Sequence, residues 1–335
     1  MHVDRRLANE IARALNPRAL NLILLPTEQC NFRCSYCYED FKQGSMPAWV
    51  VSAIKQLLTA RAPDLDELKI AWFGGEPLLA SRIICDISQF IQSLQREHPV
   101  LRYSGSMATN AALLDPERLA TMVACGVTSY QITLDGPAEL HDRTRVTRRG
   151  QGTFEQIWRH LLGIRDSGFD VAVTLRVHYQ ADTFTRLFPL LELMNRELAG
   201  DERFRVHFKS VARLGGPNDA MIRPVTAQEQ KSVEDMLRAM LRFPDQALNF
   251  DDYVCYAGAA NSLIIRANGD LNKCTVALSD DANRIGRLNP DGSLAVEQDK
   301  FRRWIDALLS GDPEVMGCPL SYVLDKARPT VEAVA

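Results

Sequence analysis

Residues 30–38 of the chain read Cys30-Asn31-Phe32-Arg33-Cys34-Ser35-Tyr36-Cys37-Tyr38, with three cysteines at Cys-x3-Cys-x2-Cys spacing. An apolar run at 20–26 precedes them and predicts a buried strand. A loop at the end of a strand can direct three thiolates to one place. There they can bind three irons of a [4Fe–4S] cluster and leave the fourth iron without a protein ligand.

Two other uses of three cysteines fit this stretch less well. Zinc sites usually combine paired thiols or histidines, whereas no histidine lies near this loop. A structural disulfide cannot use three closely spaced cysteines evenly. The iron–sulfur interpretation is therefore favoured. The six histidines of the chain are at positions 2, 98, 141, 160, 178 and 207.

The composition is that of a soluble globular protein, with 335 residues, 46% hydrophobic and 24% charged. A net charge of -3 gives no overall basic character for binding nucleic acid. No apolar run is long enough to span a membrane, and the N-terminus shows no signal-peptide core. We therefore expect a cytoplasmic protein with neither nucleic acid nor membrane as a partner. In such a reducing compartment its eight cysteines are more typical of metal ligands or buried thiols than of disulfides.

Strand-like and helix-like segments alternate from residue 20 to about residue 210, which indicates a parallel sheet with helical crossovers. Six such units are too few for a complete eight-stranded barrel, so a partial (β/α)6 TIM-like barrel fits. Functional residues should then lie at the C-terminal ends of the strands. The predicted strands are 20–26, 68–73, 101–107, 127–134, 170–178 and 204–210. The predicted helices are 4–16, 47–61, 80–97, 115–125, 153–167, 182–199 and 226–243.

Polar and glycine-rich motifs follow these strands where that fold requires them. Trp72-Phe73-Gly74-Gly75-Glu76-Pro77 follows the second strand, and Ala108-Thr109-Asn110 follows the third. After the fourth come Asp135-Gly136-Pro137 and then His141-Asp142-Arg143-Thr144-Arg145. Glycines allow close backbone approach to a ligand, and the guanidinium of an arginine matches a carboxylate.

The cysteine loop, with Tyr36 before its last cysteine, and these motifs together resemble the radical S-adenosylmethionine (SAM) enzymes. The resemblance implies that the open iron chelates the amino and carboxylate groups of SAM, and that electron transfer from the cluster yields a 5′-deoxyadenosyl radical. By the same resemblance, the Gly-Gly-Glu-Pro motif at 74–77, in which Glu76 is an anionic acceptor, hydrogen-bonds the SAM ammonium, and Arg145 binds the SAM carboxylate. The expected cofactor-binding residues are Tyr36, Gly74, Gly75, Glu76, Pro77, Asn110 and Arg145, and the expected cluster ligands are Cys30, Cys34 and Cys37.

Several of these residues also have ordinary structural explanations. Glu76 could simply be a carboxylate at a helix N-terminus. Asp135, the candidate catalytic residue, could equally cap a turn. Asn110 could reach the SAM ribose or cap its own backbone. On the fifth strand Arg176 and His178 share one face, but the sequence does not reveal whether that face is the barrel interior.

The C-terminal part carries a second set of cysteines, Cys255, Cys274 and Cys318. Asn268-Gly269 between two apolar segments predicts a hairpin that brings the first two together. The pattern resembles the SPASM and twitch extensions and implies one auxiliary [4Fe–4S] cluster with these three ligands. A full SPASM domain has seven cysteines, so the alternative is a degenerate extension that has lost its metal. Cys85 and Cys125 are predicted to be buried thiols without a function.

We therefore expect an N-terminal helix at 1–19, the barrel at 20–216, a bridging helix and linker at 217–250, and a SPASM/twitch-like domain at 251–335. The combined motifs are most typical of enzymes that crosslink, epimerise or oxidise a residue of a ribosomally made precursor peptide. Such an enzyme would need an electron donor such as flavodoxin or ferredoxin, and a separate leader-binding protein could present the peptide. A sulfatase-maturase-like formation of formylglycine and a non-catalytic iron–sulfur sensor or scaffold are the alternatives.

Overall fold

A computed structural model describes residues 5–243 and 254–327 of the chain. Its strands are β1 (Ala19–Thr27), β2 (Glu67–Gly74), β3 (Arg102–Thr109), β4 (Val127–Leu134), β5 (Ala172–Tyr179), β6 (Phe204–Ser210), β7 (Ser262–Ile265), β8 (Asp270–Asn272), β9 (Arg284–Leu288) and β10 (Leu294–Val296). All ten belong to one sheet, in the order β10-β9-β8-β7-β1-β2-β3-β4-β5-β6. The pairs from β1 to β6 are parallel, which confirms the predicted (β/α)6 partial barrel.

Helices between the parallel strands cover one face of the sheet, and further helices precede β1 and follow β6. They are α1 (Arg5–Leu15), α2 (Ala48–Arg61), α3 (Ser81–Glu97), α4 (Pro116–Ala124), α5 (Ala138–Thr144), α6 (Phe154–Asp166), α7 (Phe188–Glu197), α8 (Ala227–Ala239), α9 (Gln298–Leu309), α10 (Pro313–Gly317) and α11 (Leu320–Ala327). A capping box between Thr226 and Glu229 begins α8. None of the described helices is both long and apolar enough to cross a membrane.

The two faces of the sheet pack into different hydrophobic clusters. The outer face of β1, with Leu22 and Leu24, packs into the main hydrophobic core beneath the helices. The inner face carries a separate small apolar cluster near β1 that includes Ile23 and Leu25. Because side chains alternate along a strand, the burial of Val173, Leu175 and Val177 of β5 in the outer core places the residues between them on the inner face.

The C-terminal part extends the barrel sheet instead of forming a separate one. Strand β7 pairs with β1 in parallel, so both strands end at the same edge of the sheet. The predicted hairpin at Asn268-Gly269 is confirmed, with β7 and β8 antiparallel and Gly269 at a φ of +86°. Strands β9 and β10 form a second antiparallel hairpin. The predicted domain boundaries stay predictions, and part of the linker, at 244–253, lies outside the described residues.

Candidate functional site

The cysteine loop leaves the C-terminal end of β1 and is fixed against the segment that follows α5. The backbone N–H groups of Arg33 and Ser35 donate to the carbonyl oxygens of Val146 and Thr144, each at 2.8 Å. These hydrogen bonds join the first predicted motif to the last one. The loop therefore lies at the C-terminal edge of the sheet, where a parallel α/β barrel carries its functional groups.

The three thiols of this loop lie close enough to influence one another electrostatically. Burial raises the pKa of Cys30 and of Cys37 to about 12, and burial also raises the pKa of Cys34. The backbone N–H of Phe32 donates to the Cys30 sulfur at 3.3 Å, a contact that suits a thiolate. All three cysteines are free of disulfides.

This donor set fits a cluster better than a single ion. Among the described residues, no three His, Cys, Asp or Glu side chains converge closely enough to hold one metal ion. A [4Fe–4S] cluster instead distributes its thiolates over separate irons. The neighbouring thiols of Cys30, Cys34 and Cys37 satisfy that requirement.

The Gly-Gly-Glu motif after β2 is packed directly on the cysteine loop. A Cβ added at Gly75 would lie 2.5 Å from the carbonyl oxygen of Gln29, and one at Gly74, which has a φ of +115°, would lie 2.2 Å from that of Thr27. The Glu76 N–H donates to the Gln29 carbonyl oxygen at 3.0 Å. In this structure the glycines thus permit close contact with the chain's own backbone.

Glu76 is fully buried and connects the loops after β2 and β3. Its Oε1 accepts from Thr109 Oγ1 at 2.8 Å and from Leu78 N at 3.0 Å, and its Oε2 accepts from Asn110 N at 2.7 Å. Burial raises the pKa of Glu76, and these hydrogen bonds oppose that effect. The hydrogen bond from Leu78 N makes Glu76 the N-cap of a short helix at Pro77–Ala80, which is a structural role. Pro77 begins this helix and is buried like Glu76. Binding of the SAM ammonium by Glu76 stays a prediction.

Asn110 also has a structural role in this site. Its Oδ1 accepts from the Ala112 N–H at 3.0 Å, so it does cap its own backbone. Its Nδ2 donates to Asn31 Oδ1 at 2.8 Å and therefore contacts the cysteine loop. These two bonds place Asn110 beside the loop, and its contact with the SAM ribose stays a prediction.

Asp135 lies in a network of side chains and does not cap a turn with its carboxylate. Its Oδ1 accepts from the Tyr36 hydroxyl at 3.0 Å, and its Oδ2 accepts from Thr144 Oγ1 at 2.6 Å. Burial alone would raise the pKa of Asp135, but the His178 hydrogen bond and the charge of Arg145 outweigh it and hold that pKa well below its usual range. Asp135 is therefore an ionised, buried acceptor. A catalytic role for it stays a prediction.

Arg145 is buried, with 7% of its surface exposed, and contacts the cysteine loop. One of its Nη atoms donates to the Tyr36 hydroxyl oxygen at 2.7 Å, while its buried Nε has no hydrogen-bond partner in the described part of the chain. The Cys34 thiol is close enough for the Arg145 charge to lower its pKa against the effect of burial. An incompletely satisfied guanidinium beside the cysteine loop suits a carboxylate ligand.

The structure also determines the face that the sequence left open on β5. His178 Nδ1 lies 3.1 Å from the Tyr36 hydroxyl and 3.4 Å from Asp135 Oδ1, so its side chain points to the inner face. Burial lowers the pKa of His178 to about 4, which makes it neutral at physiological pH. Arg176 lies on the same face, two residues earlier along the strand.

The three C-terminal cysteines are also brought together. The thiols of Cys274 and Cys318 each affect the pKa of Cys255, which burial raises to about 11. The Cys255 N–H donates to the carbonyl oxygen of Met316 at 2.9 Å, next to the segment that carries Cys318. Cys274 is buried and its sulfur accepts from the Val276 N–H at 3.4 Å. Three gathered thiols fit an auxiliary cluster, whose presence stays a prediction.

Tyr38 lies between the two sets of cysteines, and the sequence interpretation did not include it. The charges of Cys37 and Cys274 both contribute to the pKa of its hydroxyl, which burial raises well above its usual value. Tyr256 of the C-terminal part is another electrostatic neighbour. The position of Tyr38 directly after the last loop cysteine was the available signal, but only the fold shows that Cys274 lies on its other side.

Comparison with known proteins agrees with this arrangement. Residues 24–184 match the family model described as the radical SAM superfamily. A GTP 3′,8-cyclase from Cronobacter sakazakii is 29% identical over 228 residues, which are 62% of this chain and 65% of that protein. The chain spans 35% to 65% of the length of the first curated relatives that it matches.

Two solved structures share the fold over most of the chain. Native anSMEcpe with bound AdoMet and Cp18Cys peptide has a TM-score of 0.64 at 18% identity, over 87% of this chain and 83% of its own. Streptococcus suis SuiB bound to the precursor peptide SuiA has a TM-score of 0.57 at 16% identity, over 95% of this chain and 70% of its own. At such identities the likeness concerns the fold. Together with the family match, it shows that this chain carries a radical SAM domain at residues 24–184.

Proposed function

We propose that this chain cleaves SAM reductively and uses the resulting radical to modify a residue of a ribosomally made peptide. The observation that carries the proposal is the meeting of Cys30, Cys34 and Cys37 with Arg145 at one edge of the sheet. The cluster, when bound, would supply the electron that converts SAM to a 5′-deoxyadenosyl radical. The three cysteines would hold it, and Arg145 would orient the carboxylate of SAM.

The residues around the site would orient SAM and the substrate and exclude water from them. The hydrogen bonds from Tyr36 to Asp135 and from Arg145 to Tyr36 are largely buried, so the guanidinium is oriented before ligands bind. Hydrogen abstraction requires one C–H bond to be held next to the radical carbon, so positioning dominates this type of catalysis. The inner face of the sheet provides the surface on which a substrate would be held.

A peptide substrate is supported by the extent of the fold similarity. Both anSMEcpe and SuiB were solved with peptides bound, and the similarity extends over 87% and 95% of this chain. The cysteines at 255, 274 and 318 would hold an auxiliary cluster able to accept the electron that an oxidised peptide leaves behind. Crosslinking, epimerisation and oxidation all remain within the proposal. An external donor of the flavodoxin or ferredoxin type would supply the electron for SAM cleavage.

The test is reductive cleavage of SAM by the reconstituted, reduced protein. We expect 5′-deoxyadenosine from the wild-type chain and none from a Cys30→Ala, Cys34→Ala, Cys37→Ala variant. Mass spectrometry of precursor peptides encoded beside the gene then reports the modification. Formylglycine at a cysteine or serine would favour the sulfatase-maturase alternative. Binding of SAM without cleavage under strong reductant would support the non-catalytic sensor or scaffold and contradict the proposal.

A further inference from the structure

The inner face of the last two barrel strands carries several cationic side chains. Arg176 of β5 pairs in register with His207 of β6, and His178 pairs with Lys209. Because paired residues of neighbouring strands point to the same side, Arg176 and Lys209 share the face on which His178 contacts Asp135. Arg205, two residues before His207, belongs to the same face, and it is exposed like Lys209.

Arg176 is unusual among these cations because it is partly buried without a counter-ion. Its Nε is inaccessible to solvent and has no hydrogen-bond partner, and its guanidinium forms no ion pair with any residue of the described ranges 5–243 and 254–327. Burial lowers the pKa of Arg176. A desolvated cation without a partner is costly, because neither water nor a carboxylate offsets the loss of solvation. An anion delivered by a ligand would remove that cost.

Asp135, the carboxylate that attracts Arg176, cannot serve as its ion-pair partner. Asp135 attracts Arg176 electrostatically, but its oxygens already accept from Tyr36 and Thr144, and His178 lies 3.4 Å from Oδ1. Arg266, by contrast, is largely buried and pairs with Glu28 at 2.6 Å. The unsatisfied guanidinium of Arg176 therefore distinguishes the inner face of β5 and β6 from the ordinary ion pairs of this protein.

The carboxylate of SAM is a less suitable partner for Arg176 than for Arg145. Arg145 donates to Tyr36 of the cysteine loop and acts on the Cys34 thiol, so it lies where the loop would hold SAM. Arg176 is also an electrostatic neighbour of Tyr36 and Tyr38, but it donates no hydrogen bond to the cysteine loop in the described part of the chain. It acts on His207 of β6, the last strand of the sheet as described. The exposed Lys209 and Arg205 continue from there to solvent. This side of the inner face is therefore open to a substrate.

We propose that the inner face of β5 and β6 recognises an acidic side chain of the peptide substrate, with the guanidinium of Arg176 as the buried partner of its carboxylate. Lys209 and Arg205 attract the same segment from the solvent-exposed side. This inference rests on the proposed function, because it specifies the substrate of the same site. It makes Arg176 a specificity-determining residue that acts on the peptide and leaves the binding of SAM to other groups.

The test compares the binding of two neutral-capped peptides to the reconstituted holoprotein saturated with SAM. The probes are acetyl-Gly-Ala-Glu-Ala-Gly-amide and its Gln counterpart, with affinities measured by calorimetry under anaerobic conditions. A charge-assisted hydrogen bond to a desolvated guanidinium predicts that the Glu peptide binds about tenfold more tightly. In Arg176→Gln the ratio should fall to about one, and Arg176→Lys should restore part of it. Arg196→Gln, on the exposed surface of α7, is the matched control and should preserve the ratio.

The dissociation constant of SAM, measured on the same samples, distinguishes the role of Arg176 from that of Arg145. Arg176→Gln should leave it unchanged. Equal binding of the two peptides to the wild-type protein, or no binding of either, would overturn the proposal. A rise in the SAM dissociation constant of Arg176→Gln would overturn it as well, by assigning Arg176 to the SAM pocket. Cleavage of SAM by the wild-type protein is assayed independently, so a failure here is distinguishable from a failure of the proposed function.

Discussion

Glu28 and Arg266 form a buried ion pair that joins the cysteine loop to the C-terminal hairpin. Glu28 directly follows β1 and Arg266 directly follows β7, and because these strands are parallel both residues reach the same edge of the sheet. Arg266 Nη2 donates to Glu28 Oε2 at 2.6 Å, and Nε donates to Oε1 at 3.1 Å. Their side chains are only 11% and 4% exposed. The pair therefore connects the loop that begins at Cys30 with the hairpin that carries Cys274.

Replacing one partner of this pair should strongly destabilise the protein. In Arg266→Ala the Glu28 carboxylate stays buried without its cation, and such losses typically lower the free energy of unfolding by about 3–5 kcal/mol. Denaturant unfolding followed by circular dichroism measures the change. Arg143→Ala is the control, since Arg143 pairs with Glu139 on the surface with 61% and 71% exposed side chains. We expect it to cost less than about 1 kcal/mol. Equal effects of the two variants would contradict the importance of the buried pair.

Arg145 should be required for tight binding of SAM. Its planar guanidinium can form two parallel hydrogen bonds with a carboxylate, which a lysine ammonium cannot. We expect Arg145→Lys to raise the SAM dissociation constant about tenfold and Arg145→Gln to raise it further, as measured by equilibrium dialysis with the reconstituted protein. Arg143→Gln, two residues earlier on the exposed side of α5, is the control. An unchanged affinity in Arg145→Gln would remove Arg145 from the SAM site.

The barrel was predictable because its local signals agree with its tertiary structure. Each predicted barrel strand is found within two residues of its predicted bounds, as with 68–73 and the observed Glu67–Gly74. In this strand the buried Leu68, Ile70 and Trp72 alternate with less buried residues. The strand face that packs on the helices must be apolar, so this alternation is visible in the sequence. Helices α9, α10 and α11 were not among the predicted elements.

Contacts between distant segments could not be predicted in the same way. The parallel pairing of β7 with β1 depends on sheet register across more than 230 residues, for example Asn21 with Ser262. The inner orientation of Arg176 follows from the burial of its neighbours in the outer core, because the alternation along β5 is compatible with either face. The position of Tyr38 between Cys37 and Cys274 likewise exists only once the C-terminal part is in place.

Removal of the C-terminal cysteines should distinguish an auxiliary cluster from a degenerate extension. Replacing Cys255, Cys274 and Cys318 together with alanine should lower the iron content by about four atoms per chain and leave the first cluster intact. Iron analysis and the electron paramagnetic resonance signal of the reduced protein measure both effects. The matched control is Cys85→Ala with Cys125→Ala, which removes thiols outside both sets. An iron content unchanged by the triple replacement would show that the extension holds no metal.

Buried neutral histidines should make the protein less stable in mild acid. Burial lowers the pKa of His141 to about 4, compared with about 6.5 for an unfolded chain. Below pH 6.5 the unfolded state therefore binds a proton that the folded state refuses until about pH 4, and stability falls as the pH falls through this window. Each such group contributes a slope of about 1.4 kcal/mol per pH unit. The same direction holds for His178 and His207, whose pKa values are also about 4.

Replacing His141 isolates the contribution of one histidine to the pH dependence of the free energy of unfolding. His141→Asn should lower stability at pH 7 by about 1–3 kcal/mol, because the Asp135 N–H and the Thr153 hydroxyl lose its ring nitrogens as partners. It should also flatten the dependence of unfolding free energy on pH between 6.5 and 4 by about 1.4 kcal/mol per unit. Thr153→Val is the control, since it removes a hydrogen-bond partner of His141 and keeps the titrating ring. That variant should be destabilised with its slope preserved, whereas identical slopes in wild type and His141→Asn would show that His141 already titrates normally in the folded protein.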